Sequence, residues 1–253
     1  ACKAAGIEAI AVCYIHSYAN PEHERRTREI IQELYPEAEV TLSHEITREW
    51  REYERTNTTV LNAYVQPIAA RYLAALDEEL TRLGVPGTKY AMQSNGGTTT
   101  FAYAQLVPIH LVESGPVGGV IGASVVAKGV GEDSIIAFDM GGTTAKVSLI
   151  DRGQLKINTD YYLEKTGIWA GYPLKIAVVD IVEVGAGGGS IAWIDQGGAL
   201  HVGPKSAGAD PGPACYGLGG TEPTVTDANL LTGRLNPDYF LGGEMWLRVY
   251  LAE

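Results

Sequence analysis

The sequence is poor in cysteine, with only Cys2, Cys13 and Cys215 in 253 residues and no C-x-x-C pair. A set that is odd in number and widely scattered argues against a disulfide framework and a thiolate zinc site, and fits a reducing cytoplasm. It has no apolar run of the about 18–20 residues that cross a bilayer. It also lacks a basic cluster: 19 Lys+Arg stand against 30 Asp+Glu, a net charge of −11. That balance argues against nucleic acid and against an anionic membrane as partners. It leaves phosphate ligands open, because backbone N–H groups bind phosphate without Lys or Arg. No signal peptide is visible, but the first residue is Ala1 and not Met, so the natural start is expected to lie elsewhere.

What the chain has in abundance is glycine, 31 residues of it, concentrated after residue 95. The apolar run from Ile7 to Ile15 reads as a buried strand. Asn20 as N-cap, Pro21 at the first helical position and the acidic Glu22 and Glu24 predict a helix ending near Tyr35-Pro36. A short strand is expected over Glu39 to Leu42. From Glu49 to Leu83, Val60, Leu61, Tyr64, Val65, Ile68, Tyr72, Leu73, Leu76 and Leu80 recur at helical spacing. Pro67 is expected to kink or divide that run, and Gly84, Pro86 and Gly87 to end it. Beyond Lys89 come a strand to Gln93, a turn at Ser94 to Gly97, and a small-residue helix from Val117 to Lys128.

The most specific segment is Phe138-Asp139-Met140-Gly141-Gly142-Thr143-Thr144, between a strand from Ser134 and a second from Ala145 to Ile150. Gly141 and Gly142 leave backbone N–H groups unobstructed and permit positive φ. The hydroxyls of Thr143 and Thr144 add donors, completing a small anion cradle. Asp139 at the strand end is suited to holding a hydrated Mg²⁺ or orienting a water. An ordinary hairpin with Asp and Gly chosen for the turn explains the same residues. A second glycine turn, Gly185 to Gly189, lies between further strands.

Asp-x-Gly-Gly-Thr between two strands resembles the phosphate loop of the actin-like ATPase superfamily. Several segments narrow this further: Glu52 to Tyr64, Met92 to Gly97, Glu113 to Gly119, Phe138 to Thr144, Val184 to Ala192, Ser206 to Gly217 and Thr224 to Asn229. In this order they resemble the hydantoinase A/5-oxoprolinase family over nearly the whole chain. The resemblance implies an α/β fold of the actin-like (ribonuclease H-like) type, a mixed sheet flanked by helices with long connecting helices. It implies the end of a first ATPase lobe at 1–48, connecting helices at 49–87 and a second lobe at 88–253, the chain being an internal piece of a longer protein. The implied function is ATP-dependent opening of a hydantoin- or oxoproline-like cyclic amide, with ATP and Mg²⁺ as cofactors. A hydantoinase B-type partner subunit and an oligomeric assembly come with it. Asp139 is the implied catalytic and Mg²⁺-binding residue. Gly141, Gly142, Thr143 and Thr144 would hold phosphate, and Gly187, Gly188 and Gly189 would let nucleotide or substrate approach. An acetone- or acetophenone-type carboxylase ATPase subunit is the alternative within enzymes, and a non-catalytic scaffold the alternative outside them.

Other residues keep two readings each. His16 and His23 near Glu24 are a metal site or surface polarity. Arg48, Arg51 and Arg55, among Glu45, Glu49, Glu52 and Glu54, form a salt-bridged helix face, or Arg55 reaches a phosphate. Glu113 caps the next helix or acts as a base. Cys215 is a small buried residue or a thiol nucleophile. Asp210, Asp227 and Asn229, in Gly/Pro-rich loops, suit substrate or subunit contacts. Tyr161, Tyr162, Trp169 and Tyr172 line a pocket or fill core.

Overall fold

A computed structural model of the chain describes residues 1–164 and 168–253. In chain order its regular elements are β1 (Ala9–Val12), α1 (Glu22–Leu34), β2 (Glu39–Leu42), α2 (Ser43–Ile46), α3 (Glu52–Arg82), β3 (Tyr90–Met92), β4 (Thr98–Thr100), α4 (Phe101–Leu106) and α5 (Ser114–Val130). Then come β5 (Ile135–Met140), β6 (Ala145–Asp151), β7 (Gln154–Leu155), β8 (Ile157–Asn158), β9 (Tyr161–Leu163), β10 (Tyr172–Leu174), β11 (Val178–Val179), β12 (Val182–Val184), β13 (Ser190–Ile194), β14 (Leu200–Ser206), α6 (Val225–Leu231) and α7 (Val249–Ala252). The chain divides into one unit of Ala1–Gly131 with Gly153–Asp180, and another of Glu132–Arg152 with Ile181–Glu253.

In the first unit β1 and β2 pair in parallel, from Ala9 opposite Glu39 to Val12 opposite Leu42, with α1 as the crossover. The α1 start differs by one residue from the expectation. Pro21 is the N-cap, and Asn20 acts one step earlier, its Oδ1 accepting from the Glu22 N–H at 3.2 Å. Leu42 at the end of β2 is fully buried, as is Glu24 on α1. The Glu24 carboxylate accepts four hydrogen bonds: from Tyr14 N–H (3.0 Å), Ser43 Oγ (2.6 Å), His44 N–H (3.1 Å) and His44 Nδ1 (2.7 Å). Burial by itself would raise its pKa; the bonds from Ser43, His44 and Tyr14 outweigh that, and the pKa lies below its ordinary value.

Helix α3 is one element of 31 residues with Pro67 inside it, so the proline does not divide it. Over its first half the helix buries polar residues. Arg55, Thr58, Thr59, Asn62 and Gln66, three or four positions apart, are buried, while Val60, Tyr64, Ile68 and Tyr72 are exposed, Tyr64 by 78%. The apolar periodicity in the sequence therefore marks the outer face here. The inner face succeeds because its polar groups find partners, Arg55 Nε excepted. Asn62 Nδ2 donates to Thr41 Oγ1 and the Leu106 carbonyl, both at 3.2 Å, and its Oδ1 accepts from Ile109 N–H at 3.2 Å. Thr58 Oγ1 accepts from Lys175 N–H at 2.9 Å, and Asn57 donates to the Pro173 carbonyl at 2.8 Å. Farther along, Leu73 joins Phe101 and Ala104 in an apolar core. A second apolar cluster unites Ile46, Val107, Ile109, Leu174, Ile176 and Val178.

Arg55 is fully buried. Its Nη1 and Nη2 donate to the carbonyls of Glu49 (2.9 Å) and Tyr14 (2.7 Å), and the guanidinium lies 5.3 Å from the Tyr18 ring centroid. It is thus a buried tie between helix and loop, and neither a member of a surface ion-pair face nor free to reach phosphate. The ion pairs that do form near it are Arg28–Glu45 and, at 3.6 Å, Arg51–Glu54 and Lys175–Glu49. Glu113, at φ +58°, precedes α5 but its side chain makes no capping bond; it accepts from Tyr161 Oη at 3.3 Å instead.

The second unit is built on antiparallel pairs. β5, β6 and β12 form one sheet in the order β12-β6-β5, and β13 pairs with β14. α6 opens with a capping box: Thr224 and Asp227 satisfy each other's backbone N–H groups. Asp227 is buried and also accepts from the N–H groups of Cys215 (2.8 Å) and Ala214 (3.4 Å). This carboxylate pins the Pro213–Tyr216 loop to α6 and leaves no free oxygen for a substrate. Cys215 is fully buried beside it, and burial together with the neighbouring carboxylate pushes its thiol up to about 12. That is a structural cysteine.

Glu24 has the clearest pH signature. Its folded pKa lies below the ordinary 4.5, so its stabilisation is complete above that pH and is lost as pH falls through the folded value. Urea unfolding across acid pH should show Glu24→Gln less stable by about 1–3 kcal/mol near neutrality and its stability flatter below pH 4.5. Equal acid slopes for the two proteins would contradict this. Asp227→Ala should cost about 2–4 kcal/mol, read from the same unfolding curves.

Candidate functional site

The turn between β5 and β6 runs from Gly141 to Thr144 and is closed by one bond, Gly141 N–H to the Thr144 carbonyl at 2.9 Å. Asp139 and Met140, expected in the turn, belong to β5, where Asp139 is opposite Lys146. Gly141 and Gly142 do not have positive φ, so left-handed geometry is not their reason.

Their carbonyls hold the second glycine turn, while a Cβ on Gly141 would meet only the Thr144 carbonyl, at an ordinary 3.6 Å. Gly188 N–H donates to the Gly141 carbonyl at 2.9 Å and Gly189 N–H to the Gly142 carbonyl at 2.7 Å. A Cβ on Gly187 would lie 2.5 Å from Thr143 N and 2.6 Å from the Gly142 carbonyl carbon. One on Gly189 would lie 2.9 Å from Ser206 Oγ and 3.2 Å from the Gly142 carbonyl oxygen. Gly187 N–H itself donates to Ser190 Oγ at 2.8 Å, and the Gly188 carbonyl accepts from Thr226 N–H and Oγ1, each at 2.8 Å. Gly187 is therefore required by backbone-on-backbone packing, while a Cβ on Gly188 or Gly189 would press first on the Thr226 or Ser206 hydroxyl.

This packing engages the carbonyls of the first turn and leaves its donors outward. The N–H groups of Gly142 and Thr143 have no hydrogen-bond partner among the described residues, and both residues are exposed. A Cβ on Gly142 would meet nothing within 4 Å. Two adjacent free N–H groups beside the Thr143 and Thr144 hydroxyls form an exposed set of donors, which is the chemistry an anion needs. All eight residues expected at the site, Asp139 included, come together in one unit and one region.

The sequence reading missed Lys146. Cross-strand register places Asp139, Lys146 and Glu183 side by side on β5, β6 and β12, with Lys146 Nζ 3.6 Å from Glu183 Oε2. The alternation of β6, with Lys146 one residue past Ala145, carried that signal once the hairpin register was known. His16 and His23 lie elsewhere: His16 Nδ1 bonds Tyr18 Oη at 2.9 Å, and among the described residues no group of three or more His, Cys, Asp or Glu is placed to hold a metal. No described helix is long and apolar enough to cross a membrane.

A family model for hydantoinase/oxoprolinase matches residues 55–253, and one for the N-terminal region of hydantoinase/oxoprolinase matches residues 1–35. The chain belongs to the hydantoinase/oxoprolinase family. It is 38% identical over 241 residues to caprolactamase subunit alpha of Pseudomonas jessenii, covering 95% of this chain and 34% of that relative. It is also 38% identical over 254 residues to the acetophenone carboxylase gamma subunit of Aromatoleum aromaticum, covering 98% of this chain and 34% of the relative. The crystal structure of the ATP-dependent caprolactamase from Pseudomonas jessenii matches with a TM-score of 0.78 at 36% identity, over 99% of this chain and 36% of that one. The α/β fold of this hydantoinase-family member is thus the one found there, and the chain spans about a third of these relatives' length.

The interlocked turns of this hydantoinase-family chain predict opposite tolerance at two glycines. Gly187→Ala drives a methyl into the other turn's backbone and should lower stability by about 2 kcal/mol or more. Gly142→Ala should change it by less than about 1 kcal/mol. Paired urea titrations decide this; equal costs would refute the packing explanation.

Proposed function

We propose that this chain is the phosphate-handling part of an ATP-dependent cyclic-amide hydrolase. The observation that carries the reading is the pair of unengaged N–H groups at Gly142 and Thr143, held outward by the glycine turn behind them. In this reading ATP supplies a phosphoryl group to the amide oxygen, turning a poor leaving group into a good one. Gly142 and Thr143 donate their N–H groups to phosphate, and the hydroxyls of Thr143 and Thr144 add two donors. Such preformed donors stabilise charge on the transferring group without reorganising. Asp139 on β5 holds hydrated Mg²⁺ or orients water, and Lys146 beside it balances the carboxylates of Asp139 and Glu183.

The lobe assignment belongs to the same proposal: 1–48 closes a first lobe, 49–87 connects, and 88–253 carries the second phosphate loop. So do a hydantoinase B-type partner subunit, an oligomeric assembly and a cytoplasmic setting. Relatives named as subunits alpha and gamma support a multi-subunit enzyme. Ketone carboxylation is the second reading, because the acetophenone carboxylase subunit is as similar as the caprolactamase subunit, 38% in both cases.

The test uses the full-length enzyme with its partner. ATP turnover should rise with a hydantoin, a lactam or 5-oxoproline, and Gly142→Val and Asp139→Asn should each lower it by about 100-fold or more while the fold is kept. Stimulation only by ketone with bicarbonate supports the second reading. Turnover unaffected by Gly142→Val overturns the site.

A further inference from the structure

Strand β1 has one partner among the described residues, β2, so its other edge is open. The register fixes which backbone groups lie on that edge. Glu39 N–H donates to the Glu8 carbonyl at 2.9 Å, and Ala9 is opposite Glu39. Bonded residues alternate along a strand of a parallel ladder. Ile10 and Val12 therefore turn their backbone groups toward β2, and Ala9 and Ala11 turn theirs away from it. The strand Ala9–Val12 carries no charge, proline or bulge, the usual devices that keep an open edge from pairing.

Beside this edge lies an open groove of about 610 Å³. Ala9 and Ala11 line it from β1, and Val60, Tyr64, Pro67 and Ile68 line it from the outer face of α3. Ile68 is 68% exposed, as uncovered as the neighbouring Tyr72 at 65%. Among the described residues the only charges lining the groove are Glu8 and Arg71, which pair with each other at 3.7 Å. The walls thus ask for an uncharged, apolar occupant. The Ala9 and Ala11 backbone groups ask for an extended one, because a strand presents donors and acceptors at the spacing of a strand edge.

Residues 1–35, which include β1, match the model of the family's N-terminal region, and the chain spans about a third of its relatives' length. Segments of the longer protein are therefore available to fill the groove, and those of the same N-terminal region are nearest to β1 in sequence. We propose that a β-strand from the segment preceding Ala1 in the full-length protein pairs with the free edge of β1 and lays apolar side chains over Val60, Tyr64 and Ile68. The groove shares no residue with the glycine turns, so this inference stands if the phosphate-handling reading fails.

The test uses the full-length protein. Amide exchange read by residue should show Ala9 and Ala11 slowed about 100-fold or more against unfolded-chain rates, as Ile10 and Val12 are. A photo-crosslinking side chain placed at position 64 should join to residues upstream of Ala1 in the same polypeptide, with isotope-mixed protein separating that product from a crosslink between copies. Ile68→Asp should lower the unfolding midpoint, and the milder Ile68→Ala should lower it by less; a solvated position tolerates both. Fast exchange at Ala9 and Ala11, an unchanged midpoint in both variants, or crosslinks that reach no upstream residue and go instead to another copy, a partner subunit or residues after Glu253 would each overturn the proposal.

Discussion

Two glycine turns pressed backbone to backbone are the constraint from which the candidate site follows. Gly187 lies so close to Gly142 and Thr143 that no side chain fits between them. The two hydrogen bonds from Gly188 and Gly189 consume the first turn's carbonyls. A turn tied down by its acceptors presents its donors, and that polarity is what an anion site requires. The second turn is held in its own right, through Ser190 on one side and Thr226 at the start of α6 on the other. Asp227 then fixes α6 to the buried Cys215 loop. The order of the donors at residue 142 is therefore maintained by a chain of backbone contacts reaching a capping box more than eighty positions later.

The other unit solves a different problem by similar means. Its longest helix turns polar side chains inward where an apolar face would be routine, and satisfies them against the carbonyls and hydroxyls of neighbouring segments. Such networks specify register closely, since a shift by one residue would strand several buried groups at once. The Glu24, Ser43 and His44 cluster is of the same kind. Its donors, from Tyr14, Ser43 and His44, converge on the Glu24 carboxylate.

Much of this was legible in the sequence. The hairpin around residue 140, the strand Glu39–Leu42, the end of α1 at Leu34 and the stop of α3 before Gly84 follow from turn and cap chemistry that acts locally. The family was legible from the order of its motifs. What local rules could not show depends on partners far away in the chain. The inward face of α3 could not be read from apolar spacing, which marks a helix but not its packed side: Asn62 and Thr58 are buried by bonds to residues 41, 106, 109 and 175. Arg55 was read as a surface cation because its two carbonyl partners, one of them Tyr14, cannot be paired with it from sequence. The glycines at 187–189 were expected to make room for a ligand, and the structure gives them a neighbour that is the protein itself. Lys146 became visible only when strand register placed it between Asp139 and Glu183.

Amide hydrogen exchange resolved by residue measures the polarity of the paired turns directly. The Gly188 and Gly189 amides should be protected and those of Gly142 and Thr143 should exchange freely, until a non-hydrolysable ATP analogue with Mg²⁺ protects the latter pair in the full-length enzyme. Protection of Gly142 and Thr143 in the unliganded protein, or their continued free exchange at saturating analogue, would contradict the account.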